Sequence, residues 1–516
     1  MKWINKLAQH QKVISLILGG LSVLALPPYY QFPIAILCFS GLFYLLINSH
    51  NLKHSFALGY WFGFGHFSLG FSWVGNALLI DINTLGWLYP ITILASGAFF
   101  GIFIGLATIF ISKFSSTKSK LLAFSAFWTL SEWLRSFVLT GFPWNLIGSV
   151  LTFLPQLYQS ASIFGTYGLS LITILFCSAP VLLFSPCRSN KLFALGILLF
   201  IPLTNYFYGH NRLNHYQNHF AQDGITIRLV QPSIPQTLKW DIESAEYNFA
   251  KHIELSQQNG LENIDLVLWG ETASPFPLDI DTHHRQQLNI ATPSNGYLMT
   301  GVVRTQKLAY GRYIPHNSLL IFDSSNNIID YYDKSHLVPF GEYIPLRKYL
   351  PSWITPITNT IANFQAGSGP RSFHLPNIPP FGVAICYEII FPHQIINPNN
   401  RPQWLINITN DGWYGDSAGP RQHLVSTILR ATEEGLTIAR VANNGISAVI
   451  SPLGNIIDQI PLNYVGTLDV TLPHNLSIYT IYAHYGNSIP LALTITLIIL
   501  AIALSIQSKR CNLAKK

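Results

Sequence analysis

Three polar residues stand where strand-like runs end: Glu271 after IDLVLWG, Lys334 inside YYDKSHLVPFGEYIP and Cys386 inside GVAICYE. In layered α/β folds the ends of strands are where loops assemble sites. A thiol, a carboxylate and an ammonium together can perform acyl transfer. The thiol attacks a carbonyl, the carboxylate takes its proton and later serves the second substrate, and the ammonium faces the oxyanion of the tetrahedral intermediate. A cysteine at a strand-to-helix junction suits the attack, because a helix N-terminus favours the thiolate and lowers its pKa. Taken alone, however, Cys386 reads more readily as a buried small hydrophobe, since free cysteine is among the most buried residue types.

His336 and His423 raise a Cys-His alternative, in which an imidazole activates the thiol. Neither sits in a recognisable Cys-His protease context. No His/Cys cluster has zinc-like spacing, so no metal is expected, and the polar half lacks a phosphate-binding Gly-rich motif. Glu342 follows Pro339-Phe340-Gly341 and reads as readily as a surface turn carboxylate. Glu388 can cap the helix it opens, or position Lys334, as well as act directly. Trp413 and Tyr414 lie in a loop flanked by Gly and Asp, where aromatics either pack locally or dock into a membrane interface.

The elements that would position these residues fall into two regions. Strands are expected at 225–231, 264–271, 297–304, 318–324, 381–388 and 403–409, and helices at 243–258 and 419–437. This order predicts a layered α/β domain over 209–486, large enough to bury its own core. The rest is apolar. With 49% hydrophobic and only 10% charged residues, the chain falls far below the roughly 25% charged share of soluble domains. Spans of about 20 apolar residues are expected near 13–27, 33–48, 56–79, 88–112, 121–139, 161–184, 192–208 and 487–507. The first, ending at Pro27-Pro28, is read as an uncleaved anchor.

The expected domains are therefore 1–208, a membrane domain of seven helices; 209–486, the polar domain; and 487–516, an eighth helix with a basic tail. Lys2, Lys6, Lys12, Lys53, Lys113, Lys118, Lys120, Arg188, Lys191, Lys509, Arg510, Lys515 and Lys516 all fall on one side of such a bundle. The positive-inside rule puts both termini in the cytoplasm and 209–486 outside. The net charge of +7 is thus a topology signal, and no nucleic-acid partner is expected. Of five cysteines only Cys386 belongs to the polar half, which leaves that half no disulfide framework. Glu132 and Arg135, near the outer end of the fifth span, have the spacing to pair on one helix face, or to hold a lipid headgroup.

Taken together, the stretches around Glu271, Lys334 and Cys386 resemble the nitrilase superfamily, whose members share a Glu-Lys-Cys triad in this chain order. RLVQPSIPQTLKW (228–240), WGETASP (269–275), DKSHLVPFGEYIP (333–345), CYE (386–388), TNDGWYGDSAGPRQH (409–423) and RATEEGLTIARVANNG (430–445) resemble the motif series of its membrane-bound branch, the apolipoprotein N-acyltransferase family. GYWFGFGHFSLGFSWV (59–74), EWLRSFVLTGFPW (132–144) and GTYGLS (165–170) resemble its hydrophobic half.

The resemblance implies an αββα sandwich in the polar domain, with Cys386 as nucleophile, Glu271 as general base and Lys334 as oxyanion stabiliser. It adds Glu342, Tyr387 and Glu388 as supporting residues, Trp413 and Tyr414 as a mobile lid, and Trp240 beside the substrate. It implies transfer of a fatty acyl group from a membrane phospholipid, through a cysteine thioester, to the α-amino group of the S-diacylglyceryl-cysteine of apolipoproteins. It implies further a monomer without cofactor in a bacterial inner membrane, its catalytic domain periplasmic. Gly270 departs from the family pattern, where Pro often precedes the glutamate, but no reacting group is lost.

Overall fold

The computed structural model describes residues 10–49, 51–216, 224–307, 313–349, 351, 363–472 and 477–513. The chain divides into two compact units, Met1–Asn214 with Thr480–Lys516, and His215–Tyr479.

The first unit is helical, and a helix occupies each of the eight places where an apolar run was expected. These are α1 (Gln11–Ser22), α2 (Phe32–Ile47), α3 (Leu52–Gly70), α4 (Tyr89–Thr108), α5 (Thr117–Arg135), α6 (Ala161–Ser178) and α7 (Arg188–Tyr216). A further helix, Ser488–Leu513, closes the chain. Among the described residues, four helical runs are long and apolar enough to cross a membrane: Ile82–Lys113, Ala161–Phe184, Arg188–Tyr216 and Ser488–Arg510. α1 and α2 are shorter, while α3 and α5 bury His66, Ser125, Glu132 and Arg135 among their apolar residues. α3 packs too closely on its neighbours for larger side chains: a Cβ at Gly65 would lie 2.2 Å from Leu16 O, and one at Gly59 2.0 Å from Thr108 Oγ1. Such small-residue contacts let helix backbones approach where lipid removes the hydrophobic incentive. Lys2, Lys6, Lys515 and Lys516 lie outside the described residues.

One expectation for this unit changes: α7 runs eight residues beyond the expected end at 208, to Tyr216. Glu132 and Arg135 attract each other electrostatically, and each hydrogen-bonds elsewhere. Glu132 Oε1 accepts from Trp128 Nε1 at 3.0 Å and Ile147 N at 2.9 Å, and Arg135 Nη1 donates to Phe142 O at 2.6 Å and Trp144 O at 2.7 Å. Both are buried and tie the segment 142–147 to α5, which meets the demand that buried charges find partners.

The second unit holds two six-stranded sheets. The first has the order β12-β1-β2-β3-β4-β5, from β1 (Thr226–Gln231), β2 (Leu266–Trp269), β3 (Tyr297–Lys307), β4 (Tyr313–Asp323), β5 (Ile328–Asp333) and β12 (Gly466–Thr471). The second has the order β11-β10-β9-β8-β7-β6, from β6 (Ser372–Leu375), β7 (Ile378–Ile385), β8 (Trp404–Thr409), β9 (Thr437–Ala442), β10 (Ser447–Ile450) and β11 (Ile456–Ile460). β1, β2 and β3 are parallel, as are β7, β8 and β9, and antiparallel strands extend both triads.

Side-chain alternation along the strands builds the layers. Leu266 and Leu268 of β2 point into a core shared with Ile406 and Ile408 of β8, between the sheets. Val267 and Trp269 point the other way, onto Phe249 and Ile253 of α8 (Ala245–Ser256). α9 (Ala418–Glu434) packs on β9 and β10. The order helix, sheet, sheet, helix is the expected αββα sandwich. α9 stops three residues short of the expected end, because Gly435 adopts a left-handed cap (φ 63°) and the chain turns into β9.

Candidate functional site

Parallel strands deliver the site. Glu271 leaves the C-terminal end of β2, and β3 runs so close beside it that residue 301 must be glycine: a Cβ there would lie 2.4 Å from Thr272 N and 2.5 Å from Gly270 O. Lys334 follows β5, its backbone N donating to Asn317 O of β4 at 2.8 Å.

Lys334 Nζ, 1% exposed, donates to Glu271 Oε1 at 3.1 Å and to Glu342 Oε1 at 3.0 Å. Asn317 Nδ2 bridges the same two oxygens at 2.8 and 2.7 Å. Glu342 Oε2 accepts from Val338 N at 2.7 Å. Glu342 is therefore buried within the cluster, and the reading of a surface turn carboxylate is excluded. Burial alone would raise the Glu271 pKa, but the charge of Lys334 and the bonds from Asn317 and Lys334 outweigh it and hold the carboxyl below its usual range. For Lys334 burial acts downward, and the charges of Glu271 and Glu342 overcome it and raise the ammonium above its ordinary value.

β7 hands Cys386 to a 3-10 turn, Cys386–Ile390, and not to an α-helix. Its φ of 50° lies in the left-handed region, strained for a residue with a Cβ and sustained only when its surroundings fix it. They do. Cys386 O accepts from His423 Nε2 at 3.1 Å, His423 Nδ1 meets Asp411 Oδ1 at 2.8 Å, and Arg440 Nη2 donates to Asp411 Oδ2 at 2.6 Å. All three of these side chains are fully buried.

The expected helix-lowered thiol is thus corrected. Burial, followed by the charge of Glu271, pushes the Cys386 thiol up to about 12 against the pull of Lys334. A single 3-10 turn has no stack of aligned peptide dipoles to oppose burial. The sulfur rests as a thiol within electrostatic reach of the Glu271 carboxylate. His423 directs its two ring nitrogens to Asp411 and to the Cys386 carbonyl, and His336 stacks on Phe391 with ring centroids 3.9 Å apart.

Glu388 Oε1 accepts from Tyr332 Oη at 3.0 Å, Ser335 N at 2.7 Å, Ser335 Oγ at 2.7 Å and His336 N at 3.1 Å, while Oε2 accepts from Ile385 N at 2.7 Å. This carboxylate binds the segment after Lys334 to the residue before Cys386. Glu388→Ala would take the acceptor from those five donors, which lie beside an open cavity of about 160 Å³. The expected outcome is a loss of about 2–4 kcal/mol, read as a lower unfolding midpoint, because the segments bearing Lys334 and Cys386 lose this tie. Tyr387 is buried and packs edge-on against Phe391, ring centroids 5.1 Å apart.

Trp413 and Tyr414 sit in a short turn, Asp411–Tyr414, and both are half-buried. The Tyr414 hydroxyl hydrogen-bonds the Cys386 side chain; burial first, then the Cys386 charge, raise its pKa well above the ordinary tyrosine value. Trp240 lines a cavity of about 390 Å³ with Pro275, Phe276, Pro277, Val303 and Tyr313, within the range of small-ligand pockets. Among the described residues no group of three His, Cys, Asp or Glu side chains is placed to hold a metal ion.

Sequence reasoning missed Asn317, Lys239 and the Asp411–Arg440 pair. Asn317 is a polar residue on a buried stretch of β4, and Lys239 is a cation between Leu238 and Trp240 whose Nζ donates to Glu271 O at 2.8 Å. Asn317 stands between His316 and Ser318 and Lys239 in the mixed run QTLKWD, so neither interrupts an apolar run and the sequence carries no signal for them.

Comparison with known proteins covers nearly the whole chain. The family model described as apolipoprotein N-acyltransferase N-terminal domain matches residues 18–179, and the one described as carbon-nitrogen hydrolase matches 226–480. A Rhodopseudomonas palustris protein called apolipoprotein N-acyltransferase is 35% identical over 513 residues, covering 95% of this chain and 94% of its own length. The Rickettsia prowazekii protein of the same name is 38% identical over 494 residues, with coverage of 95% and 97%. Among solved structures, an amidase from Nesterenkonia sp. aligns with 49% of this chain and 92% of its own, at 18% identity and a TM-score of 0.35.

Proposed function

The chain belongs to the apolipoprotein N-acyltransferase family, and from that premise we propose that it acylates apolipoproteins through a thioester on Cys386. The observation that carries this reading is the buried cluster in which one lysine holds two carboxylates within electrostatic reach of a strained thiol.

The donor is a membrane phospholipid. Cys386 Sγ attacks an acyl ester carbonyl as Glu271 takes the thiol proton, and Lys334 faces the oxyanion. The carbon–oxygen ester bond breaks, the lysophospholipid alkoxide takes the proton back from Glu271, and the thioester remains. In the second half the α-amino group of a diacylglyceryl-cysteine attacks the thioester, gives its proton to Glu271, and the carbon–sulfur bond breaks. Glu271 returns the proton to the sulfur. Neither half needs a nucleotide or metal.

Glu342 and Asn317 fix the direction of Lys334, and Glu388 fixes its segment. The cavity beside Trp240 takes an acyl chain, and the turn bearing Trp413 and Tyr414 acts as the lid. In this reading all eight apolar helices cross a bacterial inner membrane, both termini are cytoplasmic, and a monomer carries its catalytic unit in the periplasm. A membrane location serves both substrates, since drawing acyl chains into water costs about 0.8 kcal/mol per methylene.

The test is mass spectrometry of the purified protein after incubation with phospholipid. A fatty-acyl mass on Cys386 is expected, discharged by a diacylglyceryl lipopeptide with a free amine and retained with its N-acetylated form. No adduct under conditions that give triacylated product would overturn the thioester. Discharge to free fatty acid alone would make the chain a hydrolase.

A further inference from the structure

The buried cluster holds more charge than the triad accounts for. Among the described residues, Lys334 and Asn317 donate to both Glu271 Oε1 and Glu342 Oε1, and Val338 N donates to Glu342 Oε2. One lysine cannot neutralise two carboxylates. A second cation is present: Lys239, at the end of the turn Gln236–Lys239, is buried, and its Nζ donates to Glu271 O at 2.8 Å.

We propose that Lys239 is a positioning residue for this reaction, whose charge balances the Glu271–Lys334–Glu342 cluster and keeps Glu271 ionised as the proton acceptor. The inference rests on the thioester reading above and adds to it.

Charge conservation gives the reason. At rest two carboxylates face two ammonium groups and a neutral thiol, and the cluster has no net charge. When Glu271 takes the thiol proton and sulfur attacks, the negative charge passes to the carbonyl oxygen of the substrate, and the sum is again zero. Without Lys239 every state carries one uncompensated buried negative charge, which low-dielectric surroundings disfavour strongly. The group that relieves it by taking a proton is the base. Lys239 lies within electrostatic reach of Glu271 and Cys386, and His252 of α8 lies within reach of Lys239. Glu271 in turn is faced by Lys334, Asn317, Glu342, Lys239, Cys386 and Tyr414. Burial brings the Lys239 ammonium down to about 8, with the charges of Glu271 and Cys386 opposing, so it remains largely charged at neutral pH.

The experiment is the rate of acyl-adduct formation on Cys386 against pH, for the full-length wild type, Lys239→Met, Lys239→Gln and Lys239→Arg. The acid side of the profile reports protonation of the base. Loss of the Lys239 charge should move that limb upward by about one pH unit and slow the reaction about tenfold on its acid side, with recovery as pH rises. Lys239→Gln keeps a donor for the Glu271 carbonyl but no charge, and must show the same displacement even if Lys239→Met folds poorly. Lys239→Arg should return the limb toward wild type. An acid limb unmoved in Lys239→Gln, whatever its rate, overturns the inference and leaves Lys239 a purely structural tie. A wild type that forms no adduct overturns the thioester reading instead.

Discussion

Cys386→Ala is expected to lose the acyl adduct and turnover together, with activity falling on the order of 10⁴-fold or more, as for removal of a nucleophile elsewhere. The expectation follows from the geometry around the residue. Its backbone carbonyl bond to His423 and the buried Asp411–Arg440 pair behind it involve no Cys386 side-chain atom. Alanine therefore keeps those ties, and thermal unfolding should change little. Serine is the sharper comparison. A hydroxyl is harder to deprotonate than a thiol, and Glu271, already held below the usual carboxylate range, is too weak a base to compensate. Cys386→Ser should be nearly as inactive as Cys386→Ala, measured by single-turnover acylation. Residual turnover above about 1% of wild type in either variant would mean that the acyl group need not pass through this sulfur.

The sequence made the strand ends legible because a run such as IDLVLWGE passes from apolar to polar residues just past the end of β2, although burial continues to Ser274. Glu271, Lys334 and Cys386 all lie at such changes, and the charge of one against the burial of another is what turns three separate residues into a site. Residues inside elements were harder to read. Asn317 reaches Glu271 because the antiparallel register places it opposite Val303 on β3, and register cannot be read from one strand. Lys239 depends on a turn that brings residue 239 to residue 271. His423 was visible as a candidate, but its role hung on the direction of its ring: toward the carbonyl of Cys386 and away from base chemistry.

The strands show the same division. β7 and β8 announce themselves by continuous apolar runs, as buried parallel strands do. β9 is equally buried, yet its start was absorbed into the helical pattern that Gly435 ends. β11, IIDQI, has four of its five residues exposed at a sheet edge, where the apolar alternation that marks a strand has no buried face to serve. α5 was expected as a span by its apolar stretch, but it is the partners of Glu132 and Arg135, on a segment up to 15 residues away, that explain how those charges are tolerated.

Lys334→Met should act on both the fold and the chemistry, with effects that separate by pH. Removing the ammonium leaves Glu271 Oε1 and Glu342 Oε1, each about 3 Å from the lost Nζ, bridged only by Asn317. Breaking a buried ion pair from one side costs about 3–5 kcal/mol, so the unfolding midpoint should fall substantially. The two carboxylates respond by sharing a proton, since like charges at such range cannot both persist. Glu271 then loses its depressed pKa, and the acid limb of acylation moves to higher pH, as in the Lys239 variants. The difference lies on the plateau. Raising the pH restores the base in a Lys239 variant, but no pH restores the donor that faces the oxyanion once Lys334 is gone. A plateau rate lower by about 10² to 10³-fold is expected. Recovery of the full wild-type rate at high pH would move oxyanion stabilisation away from Lys334, to another donor near Cys386 such as Lys239 or the Thr409 or Tyr414 hydroxyl.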